Sequence, residues 1–273
     1  MREGTGNAVM QAALHLPHLV SHLSGAAPRF DTRGGDRLAI IEMPQAESRQ
    51  LATIARHIGW RPGHWRSNER SHGSSAFDLA ERHAGTFFSG QILHSETAIA
   101  TLAGHRKVLL VRELRSTLVS CLRNEAQQLS EDPPSDGSAP AWRSGDDRSQ
   151  MYLFLRQHGP ALFGQFLSIL TWMAEKDVTI LRVEDLLRPD EMMVDRLIRL
   201  LRIDGLPAVN LDAATFQPAA LDKVHTDASQ SFKLGTFWSN ETENLFSAFG
   251  GCLWNKALGY DRSADDSNDH ALD

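Results

Sequence analysis

From position 36 onward the chain alternates short apolar runs with longer stretches whose apolar residues recur every three or four positions. That is the rhythm of βαβ units feeding a parallel sheet. The aliphatic and β-branched run RLAIIEM at 37–43 predicts a strand stopped by Pro44, and 45–60 carries helical spacing that closes near Gly59. The polar stretch 61–75 predicts a loop, GTFFSGQIL at 85–93 a second strand, and 95–104 a short helix. KVLLVREL at 107–114 is a Val and Leu run suited to a central strand buried on both faces. A helix follows at 115–129, and then 130–150 loses nearly all apolar content while collecting Pro, Gly, Ser and Asp, which predicts a mobile loop or lid. Helical spacing resumes over 151–176, bent or broken around Gly159 and Pro160. VTILRVEDLL at 178–187 reads as a fourth strand, 189–205 as a helix, and 241–259 as one last helix. The pattern divides the chain into an N-terminal arm or helix at 1–35, an α/β domain at 36–262 and a disordered tail at 263–273, without internal repeats.

Composition narrows the function classes. With 273 residues, 41% hydrophobic and 23% charged, the chain has the make-up of one globular catalytic domain. A net charge of -6 argues against sequence-independent nucleic-acid binding, so an anionic ligand must meet a local cluster of Arg and Lys. Cys121 and Cys252 stand in separate helical stretches and suggest neither a disulfide framework nor a zinc site, which favours a reducing, cytoplasmic setting. No run approaches a membrane span, and 7–25 is interrupted by His15, Pro17, His18 and His22 in a way that argues against a signal peptide. The twelve histidines, among them His57, His64, His72 and His83, lack an HExxH pattern, so no metal site is expected. A GxxxxGK[ST] phosphate loop is absent.

The candidate chemistry begins at VLLVRELRSTLVSCLR. Arg112 ends a buried strand, Ser120 follows eight residues later on the next helix, and Arg115 lies between them. In an open parallel sheet the carboxyl ends of the strands form the ligand crevice, where guanidinium and hydroxyl groups can converge on one anion. The alternative is a strand–helix junction whose arginine caps a neighbouring carboxylate. The arrangement resembles the 3′-phosphate motif of sulfotransferases that use 3′-phosphoadenosine 5′-phosphosulfate (PAPS), with Leu114 where Pro is usual. Two further stretches are similar to that family in the order it requires: ILRVEDLL, with Val183 in place of an aromatic residue, and SFKLGTFW, where Phe232, Lys233, Gly235 and Trp238 stand in register and Leu234 replaces a basic residue. The matches span about 36–262 and imply a P-loop-like three-layer sandwich, a central parallel sheet flanked by helices, in a divergent, bacterial-type form.

The resemblance implies a cofactor-binding set of Gln45, Ser48, Arg49, Arg112, Ser120, Lys233, Leu234 and Gly235. In the family the turn after the first strand is a basic residue followed by Ser-Gly-Thr, whose amides cradle the 5′-phosphosulfate. Here Gln45 takes the basic position and Glu47 the glycine, which crowds the backbone and adds like charge; Ser48 and Arg49 keep the useful chemistry. His94, 18 residues before Arg112, resembles the family's catalytic base, with Glu96 as a competing carboxylate and Arg49 as a replacement cation. Trp60 and Trp65 in GWRPGHWRSNER suit either an acceptor-recognition loop or a surface loop anchored by its tryptophans. The expected activity is sulfuryl transfer from PAPS to a hydroxyl or amine of a small-molecule, glycan or peptide acceptor, without metal, nucleic acid or membrane span; homodimer formation is left open. The competing expectation is a sulfotransferase-fold protein that has lost donor chemistry and serves binding, assembly or another reaction.

Overall fold

A computed structural model describes residues 37–46, 48–63, 85–132, 140–187, 191–202 and 234–260. The arm at 1–35, the tail at 263–273, Glu47, His64, Trp65, His72, His83, Phe232 and Lys233 lie outside the described residues. Along the chain run β1 (Arg37–Glu42), α1 (Arg49–Ile58), β2 (Arg61–Pro62), β3 (Thr86–Gly90), α2 (Glu96–Thr101), β4 (Arg106–Val111), α3 (Leu114–Glu131), α4 (Asp147–Leu170), β5 (Val178–Arg182), α5 (Val183–Leu187), α6 (Glu191–Leu201), α7 (Leu234–Phe237), α8 (Asn240–Ala248) and α9 (Gly251–Ala257). They fall into two compact units, whose described residues are 37–63 (without 47), 85–112, 164–187 and 191–202 in one, and 113–132, 140–163 and 234–260 in the other.

The first unit holds the sheet. Its five strands are all parallel in the order β2-β3-β1-β4-β5, flanked by helices, an α/β sandwich of the P-loop-like kind. β4 is buried along its whole length and β1 at every position but its ends, which is why both read as unbroken apolar runs. The order matters for function. The chain leaves β1 toward β2 and β3 on one side and leaves β4 toward β5 on the other, so the carboxyl ends of β1 and β4 flank a topological switch point, the place where open α/β sheets bind ligands. At that end the Met43 amide donates to the Leu110 carbonyl (3.1 Å), extending the β1–β4 pairing to the edge of the crevice. The helix after β1 starts at Arg49 rather than Gln45, because Pro44 and Gln45 form a turn; it ends on Gly59 in the left-handed conformation (φ 107).

Three expectations change. VTILRVEDLL is strand only to Arg182, and α5 takes over with Glu184 and Asp185 in its first turn, where carboxylates suit the positive end of a helix. α4 runs unbroken through Gly159 and Pro160. The glycine answers a packing need, since a Cβ there would lie 2.6 Å from the Phe249 ring. The last helix is two: Gly250, at φ 81, separates α8 from α9, and Gly251 lets the Phe246 ring approach to where a Cβ would be 2.3 Å away. Within 130–150, Ala141–Arg143 form a 3₁₀ turn that buries Trp142 edge-on to Phe154, and α4 begins at Asp147. Residues 133–139 lie outside the described set.

Candidate functional site

At the carboxyl end of β1, Gln45 has a left-handed backbone (φ 58), the one non-glycine among the described residues to do so. Such a residue costs free energy and persists where its surroundings hold it. Here the hold is visible: the Arg112 Nη1 donates to the Gln45 carbonyl (3.0 Å), so the guanidinium at the end of β4 fastens the turn after β1. Arg112 is only 6% exposed. Ser48 is buried and its carbonyl accepts from Ala52 to open α1; Arg49, the first residue of that helix, is exposed and partnered.

A residue that the sequence reading missed lies beside Ser48. Glu42, the last residue of β1, lies against the hydroxyls of Ser48 and Ser89, the latter on β3. Burial pushes its carboxyl above the ordinary range, and the two hydroxyls, which donate to it, work the other way. An aliphatic strand that ends in Glu was the available signal.

His94 sits on the extended segment after β3. Its Nε2 lies 3.0 Å from Glu175 Oε1, and its ring meets Trp172 edge-on with centroids 4.9 Å apart. Glu96 is exposed in the first turn of α2, which Ser95 caps by accepting from the Ala98 amide (3.1 Å), a placement that suits the helix N-terminus. Trp60 is a core residue and no stacking platform: it is 2% exposed and its Nε1 donates to the Leu201 carbonyl.

In the second unit, Ser120 is half-buried on α3. Arg115, expected to face an anion, is instead consumed by protein carboxylates. Its Nε and Nη2 donate to the two oxygens of Glu243 (3.0 and 2.6 Å), Nη1 reaches Glu113 at 3.4 Å, and its charge lies 4.6 Å from the centre of the Phe246 ring. Burial alone would raise the Glu243 pKa, but the bonds from Arg115 and from Trp238 Nε1 prevail and hold it at about 2. Leu234 and Gly235 open the short α7 rather than a loop, and the Gly235 carbonyl accepts from Nε and Nη2 of Arg148 (3.1 and 2.9 Å), on the first turn of α4. Arg148 thus brings a cation beside the segment where Leu234 stands for a basic residue. No cluster of three or more His, Cys, Asp or Glu able to hold a metal occurs among the described residues, and no described helix is long and apolar enough to cross a membrane.

The parallel sheet with its switch point between β1 and β4 defines an α/β fold of the P-loop-like class, with Arg112 at the strand end beside that point. A solved structure with this fold is that of the mouse sulfotransferase SULT7A1 complexed with PAP: it aligns with a TM-score of 0.52 over 92% of this chain and 94% of that one, at 13% identity. No protein-family model matches the chain, and no curated protein matches it in sequence.

Proposed function

We propose that the protein is a sulfotransferase that moves a sulfuryl group from PAPS to a hydroxyl or amine acceptor. The observation that carries the reading is the Arg112–Gln45 contact, which joins the end of β4 to the turn after β1 at the switch point of a sheet shared with a sulfotransferase solved with PAP. In this reading Arg112 and Ser120 hold the 3′-phosphate; Lys233, Leu234 and Gly235 close over the nucleotide, with Arg148 supplying charge beside Gly235; and Gln45, Ser48 and Arg49 face the phosphosulfate. The donor supplies an activated sulfur–oxygen bond to a phosphate leaving group. As the acceptor oxygen or nitrogen forms its bond to sulfur and the bond to the phosphate oxygen breaks, His94 takes the acceptor's proton and later releases it to water. Glu96 would be an alternative base of carboxylate type.

Glu42 favours a second reading. A half-buried carboxylate at the end of β1, reaching Ser48 and followed by a sequence in which Gln45 and Glu47 stand for a basic residue and a glycine, opposes a phosphosulfate by charge, as expected of a protein that has kept the fold and given up the donor. Calorimetric titration with 3′-phosphoadenosine 5′-phosphate separates the two. Saturable binding that Arg112→Ala weakens about tenfold or more, with the far-UV circular dichroism unchanged, supports the sulfotransferase reading. Absence of heat at millimolar ligand with the wild-type chain rules it out.

A further inference from the structure

We propose that Glu175 is the positioning residue of His94, fixing which ring nitrogen takes the acceptor's proton. The inference rests on the reading of His94 as the base. Four contacts fasten residues 91–94 to the end of α4 and the turn beyond it. Gln165 Nε2 donates to Gln91 Oε1 (2.7 Å), Trp172 Nε1 donates to the Ile92 carbonyl (2.9 Å), the His94 ring stands nearly perpendicular to Trp172 (79°), and His94 Nε2 meets Glu175 Oε1 (3.0 Å). Trp172 is fully buried and forms a fixed wall, and the Glu175 amide donates back to the Trp172 carbonyl (3.1 Å). The imidazole is therefore held by a perpendicular contact with an immobile ring and at one nitrogen by a carboxylate.

The chemistry follows from what each group can do. An ionised carboxylate only accepts hydrogen bonds, so the nitrogen facing Glu175 must carry a proton in both charge states of the ring. Neutral His94 then has its lone pair on Nδ1, and Nδ1 is the atom that accepts the acceptor's proton. When it does, the imidazolium lies against a negative charge that is already in place. With side chains 20% and 31% exposed, the pair contributes little to stability, so its effect is on orientation and tautomer. The two residues are 81 positions apart, and no spacing rule could have joined them.

The test uses the full chain with ¹⁵N-labelled imidazoles and no ligand. Long-range ¹H–¹⁵N spectra, with His94 assigned by its loss in His94→Gln, report which nitrogen of the neutral ring is protonated. The expected result is a single Nε2–H tautomer in the wild type, retained in Glu175→Gln, whose amide oxygen still accepts, and replaced by a mixture in Glu175→Ala. An Nδ1–H tautomer in the wild type, or an unchanged signal in Glu175→Ala, overturns the proposal. The wild-type spectrum decides this whatever the stability of the variants. Because the measurement needs no nucleotide, failure of the calorimetric titration strikes the sulfotransferase reading and leaves the tautomer result to judge Glu175. With an acceptor that the wild type turns over, Glu175→Ala lowers kcat about tenfold or more at unchanged KM.

Discussion

Arg112 and Arg115 are both buried guanidiniums, and their partners set them apart. Arg112 gives one nitrogen to a neutral carbonyl and so keeps its charge uncompensated by that bond, whereas Arg115 is matched by a carboxylate in a two-point pair. A guanidinium bonded to a neutral carbonyl can still attract an anion, whereas one matched by a carboxylate serves the fold. Removing the charge of Glu243 would leave Arg115 with Glu113 at 3.4 Å as its remaining carboxylate contact. Glu243→Gln is therefore expected to lower stability by about 2–3 kcal/mol, below the roughly 3–5 kcal/mol of a fully buried pair because Glu243 reaches solvent. Urea unfolding checks this: the midpoint should fall with the slope unchanged.

At the scale of elements, Gly251 shows how sequence and packing part company. As the first residue of α9 it looks replaceable, and Ala is the better helix former, but the added Cβ would strike the Phe246 ring, which Trp238, Phe163 and Arg115 hold from other directions. Gly251→Ala should destabilise the protein by about 1–3 kcal/mol, readable as a lower thermal midpoint. The same logic explains what could be read from the chain in advance. β1 and β4 were legible because burial on both faces writes a continuous apolar run. β2 was not, since its two residues, Arg61 and Pro62, are exposed and carry no pattern. The division between α8 and α9 depends on a left-handed Gly250 inside a helical spacing, and the contacts of Arg115, Arg148 and Glu175 are with partners that only folding brings near.

For the molecule as a whole, two carboxylates tie stability to pH in opposite senses. Glu243 has a folded pKa of about 2, below the ordinary glutamate value of about 4.3, so the stability it contributes is complete above that value and is lost as pH falls toward 2. The Glu42 pKa is raised by burial against the pull of Ser48 and Ser89, so its contribution is complete below the ordinary value and is lost as pH rises through the folded one. Thermal midpoints measured across this range should show a shallower acid limb in Glu243→Gln. In Glu42→Gln the decline on the other side should flatten. An acid limb of wild-type steepness in Glu243→Gln would remove the Arg115 pair from the account.

The all-parallel sheet also governs how the chain reaches its native state. Each strand pair joins distant stretches, as in Leu109 beside Ile180 with the whole of α4 between them, so no hairpin can zip the sheet from a local start. Long loops must close before any strand-pairing energy returns, which places folding among the slow, high-contact-order topologies. Until then the β4 segment is a bare aliphatic strand with both edges unpaired, and two such segments from different chains can pair with each other. Refolding yield should therefore fall steeply with protein concentration, and a charged residue in place of Leu109 would trade that hazard for loss of the sheet's centre.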